Sequence, residues 1–145
     1  MIAPKALTVK LVRDLMHRNL TSCPVDTPFR DAVRILVAEA LESLIVLGSQ
    51  GRAVGLFGRR EVIEVYARLG TKSLDDLQKL TLADTMNTDI PTVPPDIPAL
   101  TAAQIMLDQG LRDIYVMHPT KDSSTPNRPV GVLWLSDVVA EIASE

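Results

Sequence analysis

The sequence predicts a mixed α/β (α+β) protein of two β-α-β-β-α repeats packed about a pseudo-twofold axis. Three observations lead there. The chain repeats itself over most of its length, and each half alternates short strand-like apolar segments with amphipathic helical ones. A strand-to-helix phrase, "VGLFGRREV" at Val54–Val62, also returns as "VGVLWLSDV" at Val130–Val138. Both phrases read apolar-Gly-apolar-apolar, three variable positions, an acid (Glu61 or Asp137) and an apolar residue.

The duplication is extensive. Displaced by 70 residues, "RDLMHRNLTSCPVDTPFRDAVRIL" falls on "ADTMNTDIPTVPPDIPALTAAQIM". Asp14 then meets Asp84, Met16 meets Met86, Pro24 meets Pro94, Asp26 meets Asp96, and Pro28 meets Pro98. Beyond Leu47 and Met117 the displacement becomes 76, which brings Gly55 onto Gly131 and Glu61 onto Asp137. The extra residues fall in the polar, proline-containing "HPTKDSSTPNRP", which reads as an exposed loop over Pro119–Pro129. The expected boundaries are a first repeat over residues 8–70, a linker helix over 71–80 and a second repeat over 81–145.

Within each repeat the elements follow in order. Leu20–Val25 and Ile90–Pro94 are β-like segments that end at proline. Pro28 and Pro98 suit a first helical turn and push the residue before them out of the helix. Phe29, Val33, Leu36, Val37 and Ala40 follow helical spacing, as do Leu100, Ala103, Leu107 and Leu111. "LIVL" and "IYVM" are continuous apolar runs that suit buried strands. "AVGLF" and "PVGVLW" supply the next strand, and "RREVIEVYARL" and "SDVVAEIAS" the closing helix. Gly70 suits a helix stop, and Ser73 with Asp76 resembles a capping box opening the linker helix.

Composition narrows the function. The 145 residues suffice for one domain or two tightly packed halves. With 15 Lys plus Arg against 18 Asp plus Glu, the net charge of −3 does not favour nucleic acid, whose phosphates need a basic stripe. No apolar run reaches the roughly 18–20 residues of a membrane span. "MIAPKALTVK" has no signal-peptide core, so a cytoplasmic location is expected. Cys23 is the single cysteine and aligns with Val93, which suits a small buried residue and excludes an internal disulfide. His17 and His118 are isolated, and no metal-ligand spacing, Ser-His-acid grouping or glycine-rich phosphate loop stands out. No catalytic residue, metal or required cofactor is expected.

Taken together, "RDLM" and "ADTM", "SCPVDTPFRDAV" and "TVPPDIPALTAA", the two corner phrases and "GLRDIYVM" resemble a tandem pair of CBS (cystathionine-β-synthase) domains, a Bateman module, from about Leu11 to Ala143. Arg112 holds that family's basic position before the middle strand. The resemblance implies a non-enzymatic regulatory module that binds an adenosine-containing nucleotide in clefts between repeats. AMP, ADP or ATP come ahead of NAD or S-adenosylmethionine. It also implies a homodimer of modules and an unspecified regulated partner protein. The alternative is a structural or dimerisation module with no nucleotide. The sequence departs from the family pattern where a hydroxyl residue usually stands three positions before the acid: here Gly58 and Trp134 occupy that place. Glu61 replaces the usual Asp, and Ile45 and Tyr115 replace a frequent Pro.

The candidate ligand residues cluster at the two corners. A helix N-terminus offers unpaired N–H groups and a partial positive charge to a phosphate. There Asp137, and Glu61 in the first repeat, can accept hydrogen bonds from ribose hydroxyls, with Ser136 as a phosphate donor. The same acids can instead serve the helix macrodipole, with Ser136 as an N-cap. Arg59 and Arg60 face the unfavourable end of that dipole, so they read as a phosphate clamp, or as side chains in water or paired with an acid. Trp134 either fills its cleft or offers a base a stacking face. Ser22 and Thr92, before the paired prolines, read as pocket hydroxyls or, for Thr92 as for Thr21, as a mark of strand propensity.

Overall fold

The computed structural model describes residues 10–69, 74–119 and 128–144. The described chain begins with α1 (Val12–Leu15), β1 (Ser22–Pro24), α2 (Phe29–Ala38), β2 (Ser43–Leu47), β3 (Ala53–Gly58) and α3 (Arg59–Leu69). Then come α4 (Leu74–Gln78), α5 (Leu82–Thr85), β4 (Thr92–Val93), α6 (Ala99–Gln109), β5 (Asp113–Val116), β6 (Gly131–Trp134) and α7 (Leu135–Ala143). The β-α-β-β-α order appears twice, as the duplication requires. Gly70, Ser73 and loop residues 120–127 lie outside the described residues.

The described residues form two compact units, one of those between Thr21 and Ile90 and the other of those up to Leu20 together with those from Pro91 onward. The short leading helices are therefore exchanged: α1 lies in the unit of the second sheet, and α5 in the unit of the first. Orphan backbone groups explain it. A helix leaves its first N–H groups without internal partners. At α1, Val12 and Arg13 donate to the carbonyls of Ile97 and Pro95, both at 2.9 Å. At α5, Leu82 and Ala83 donate to Thr27 and Val25 at 3.0 and 2.9 Å. In return Ala99 and Phe29, which open α6 and α2, donate to Lys10 and Leu80 at 2.9 Å each. The aligned acids cap these short helices alike, since Asp14 accepts the Leu11 N–H at 2.8 Å and Asp84 accepts the Thr81 N–H at 2.9 Å.

In the first sheet β2 is central, parallel to β1 and antiparallel to β3, with Ser22 opposite Ile45 and Leu44 opposite Phe57. In the second, β5 is central between parallel β4 and antiparallel β6. Leu44, Ile45 and Val46, and likewise Ile114, Tyr115 and Val116, are buried, as continuous apolar runs in middle strands should be. The first core joins Phe29, Phe57, Leu44, Leu36 and Val65, and the second joins Met106, Ile114, Leu133, Val12 and Val138. Cys23 is buried in the first core.

The glycines of the two corner phrases are dictated by a close approach. Met86–Asn87 lies against β3 through reciprocal bonds between Leu56 and Asn87, both 2.8 Å. A Cβ on Gly55 would sit 2.7 Å from the Met86 sulfur and 3.0 Å from the Asn87 carbonyl oxygen. Met16–His17 lies against β6 in the same way, and a Cβ on Gly131 would come within 2.6 Å of the Met16 sulfur.

Three expectations need correction. Pro28 and Pro98 precede the helices as N-caps with ψ near 139°, because Phe29 and Ala99 are the first residues with helical backbone. Ala40 is not on the apolar face of α2: it follows the helix in left-handed backbone at φ 53°. The buried faces are Phe29, Ala32 and Leu36 on α2, and Ala99, Ala102, Ala103 and Met106 on α6, leaving Val37 and Leu107 exposed. Neighbouring helical stripes share a 3.6-residue period, and small alanines, light in any apolar count, permit the closest approach.

Candidate functional site

Where β3 runs into α3, the last strand residue is Gly58. A Cβ there would meet the Glu42 carbonyl oxygen at 2.5 Å, so no side chain projects from the corner. The Arg59 N–H is held by that same carbonyl at 3.0 Å. One turn on, Glu61 folds back and accepts the Gly58 N–H at 2.8 Å. The side chain is only 5% exposed. Burial pushes its carboxyl above the ordinary glutamate range, opposed in part by hydrogen bonds from the Gly58 and Glu61 backbone.

The two arginines diverge. Arg59 turns back toward the start of β2, where its Nε donates to the Leu41 carbonyl and a terminal nitrogen pairs with Glu42, both at 3.1 Å. Arg60 pairs with Glu64 at 3.0 Å one helical turn along, with both side chains more than half exposed. Such an exposed i,i+4 pair contributes only about 0.3–0.5 kcal/mol, so Arg60 can be recruited elsewhere at small cost.

Beside this corner lies a cleft of about 390 Å³ lined by Arg60, Glu61, Glu64, Thr85, Met86, Asn87 and Thr88. The structure thus brings two expected residues, Arg60 and Glu61, to one cavity. Arg59 is not among its lining residues. Ser22 is exposed on β1, opposite Ile45 in the ladder. The segment Thr85–Thr88 is legible in the sequence as part of the repeat, but not as the lining of a cleft. Its signal was the paired "DLMH" and "DTMN", whose methionines align and whose next residues lie against the corner strands.

The second corner is built alike and filled differently. Leu135 donates to the Arg112 carbonyl at 2.8 Å, as Arg59 does to Glu42. Asp137 Oδ2 accepts the Trp134 N–H at 3.2 Å. The same oxygen lies 2.9 Å from His17 Nε2, and the His17 ring packs on Trp134 with centroids 4.2 Å apart and planes at 31°. Ser136 is exposed in the first turn of α7, Thr92 is exposed on β4, and Arg112 precedes β5. Both repeated acids therefore reach back to the N–H of the residue that ends the strand. This satisfies one orphan donor and places negative charge at the positive helix end. A carboxylate has about four acceptor positions, so that bond leaves capacity for a ligand.

Glu61 makes stability depend on pH in a defined sense. Its folded pKa is raised, so the native state holds the proton more tightly than the unfolded chain. Its contribution is fully present below the ordinary glutamate value and is lost as pH rises through the raised folded value. Glu61→Gln, a neutral mimic, should accordingly gain most over the natural protein at neutral pH. That advantage should shrink in acid. Urea unfolding of both proteins from about pH 7 down to about pH 4 checks this, and a pH-independent difference would contradict it.

The sequence profile of the CBS domain matches residues 12–68 and 82–144. No curated protein sequence matches the chain. Among solved structures, a conserved CBS domain protein, TA0289 from Thermoplasma acidophilum, is 25% identical at a TM-score of 0.74, over 92% of this chain and 72% of that one. The CBS-domain containing protein ATU1752 from Agrobacterium tumefaciens is 18% identical at 0.75, over 91% and 92%. The CBS domain pair of protein MJ0100, solved in complex with 5-methylthioadenosine and S-adenosyl-L-methionine, is 18% identical at 0.74, over 93% and 97%.

Proposed function

The chain belongs to the CBS-domain family as a tandem pair, and from that premise we propose a non-catalytic regulatory module that binds an adenosine-containing ligand at its first corner. The observation that carries this reading is the cleft gathering Arg60, Glu61, Asn87 and Thr88 at the start of α3. Glu61 is the acceptor for ribose hydroxyls, Arg60 the cation for phosphate, and Met86 a polarizable surface for the base. The MJ0100 pair, with its two adenosine compounds, supports the ligand class. Among the described residues Arg60 is the cation lining this cleft, which suits a single phosphate better than a polyphosphate chain and makes AMP the first candidate.

Thermal unfolding with AMP, ADP, ATP, NAD, S-adenosylmethionine and methylthioadenosine tests the reading. A ligand at a hundredfold excess over its Kd should stabilise the fold by about 2.7 kcal/mol. Unmoved transitions with all six at millimolar concentration would favour the second reading, a structural module without a nucleotide. The filled second corner, where His17 takes both Asp137 and the face of Trp134, is the observation on that side.

Association belongs to the same proposal. Ile63 and Tyr66 on α3, and Val139 and Ile142 on α7, are exposed apolar side chains. A second copy covering them accounts for their chemistry, and twofold pairing is the commonest solution. Light scattering should give about twice the 15.8 kDa chain mass, and the monomer mass at micromolar concentration would contradict it. No helix among the described residues is long and apolar enough to cross a membrane.

A further inference from the structure

We propose that His17 is a built-in occupant of the second corner, an autoinhibitory contact that leaves the first corner alone to exchange ligand. The two units place the same segment at each corner. His17 lies against β6 through reciprocal bonds with Val132 at 2.8 and 2.9 Å, as Asn87 lies against β3 through Leu56. Their side chains then part. Asn87 turns its Oδ1 onto its own loop, accepting the Asp89 N–H at 3.0 Å, and lines an open cleft. His17 reaches the corner acid, Nε2 facing Asp137 Oδ2 at 2.9 Å, and lays its ring on Trp134.

One imidazole thus takes both features that would serve a nucleoside: the acceptor for ribose hydroxyls and the aromatic face for a base. The residue three places before the acid completes the contrast. In the first unit it is Gly58, with no side chain to project. In the second it is Trp134, which brings an indole for His17 to cover. Each change alone would narrow a cleft, whereas together they replace a ligand with the protein's own side chains.

Trp134 is the single tryptophan of the chain, so its emission reports on this corner directly. Acrylamide should quench Trp134 less in the natural protein than in His17→Asn, which installs the residue used at the first corner. His17→Phe, which keeps a ring but loses the bond to Asp137, should stay close to the natural protein. Equal quenching in the natural protein and His17→Asn, with circular dichroism showing both folded, would overturn the proposal. So would a His17→Phe protein quenched as strongly as His17→Asn. If His17→Asn does not fold, His17→Ala, which also removes the ring, takes its place in both comparisons.

A second arm rests on the first-corner reading proposed above. Calorimetric titration of the natural protein with AMP should give one equivalent per chain, with no saturable change in Trp134 emission. Two equivalents, or a Trp134 signal that titrates with AMP, would overturn the occupancy of the second corner. Absence of any AMP binding would count against the first-corner reading, and the quenching comparison would still decide the role of His17.

Discussion

Phe57→Ala should destabilise the protein by about 3–5 kcal/mol, the range for removing a fully buried phenylalanine. Phe57 is 0% exposed, sits opposite Leu44 in the ladder and meets Phe29 edge-on, with centroids 5.7 Å apart and planes at 83°. The substitution removes the transfer energy of the ring, the aromatic contact and the packing of the core beneath β3. Because small domains hold only about 5–15 kcal/mol in all, a large part of the fold's margin goes with it. Urea unfolding measures the loss. Val37→Ala is the internal control: the side chain is 76% exposed on α2, and its removal should change stability by no more than about 0.5 kcal/mol. A Phe57→Ala loss below about 1 kcal/mol would contradict the placement of this residue at the centre of the first core.

Glu61→Gln should do the opposite to stability and still damage function. Gln keeps the length and a carbonyl acceptor for the Gly58 N–H, and it removes a buried charge that desolvation disfavours. Stability at neutral pH should therefore hold or rise. Under the proposed ligand reading, binding should fall by about 1.5–3 kcal/mol, roughly 10- to 150-fold, because the proposed bonds to ribose would lose their charged acceptor. A purely structural role for Glu61 predicts no binding signature, so the opposed signs separate the two. Affinity for AMP equal to that of the natural protein, in a folded Glu61→Gln variant, would contradict the assignment.

Much of the fold is legible in the sequence because duplication writes each physical constraint twice. Paired methionines, prolines, corner glycines and corner acids mark the element order and both strand-to-helix corners. The continuous runs around Ile45 and Tyr115 likewise mark the buried middle strands. What escapes is set by contacts remote in sequence. The exchange of α1 and α5 between the units depends on backbone N–H groups finding carbonyls in the loop before the other repeat's long helix. No residue type announces such a bond.

The buried helix faces are misplaced for a related reason. Ala32, Ala99 and Ala102 carry weak hydrophobic signals, and only close packing reveals them as core. The candidate site shows the same division. Arg60 and Glu61 can be named from the phrase "GRRE", whereas the bond between His17 and Asp137 joins residues 120 positions apart. In the sequence His17 is merely an isolated histidine, with nothing nearby to indicate its partner.

The central claim is that one adenosine-type ligand binds at the first corner through Glu61 and Arg60. Calorimetric titration with AMP, run in parallel on the natural protein, Glu61→Gln and Asp137→Asn, tests it most directly. The account predicts one site per chain in the natural protein, a loss of at least about tenfold in affinity for Glu61→Gln, and near-natural affinity for Asp137→Asn, whose carboxylate is already held by His17. Full affinity in Glu61→Gln with loss in Asp137→Asn, or no heat of binding in any of the three, would contradict it.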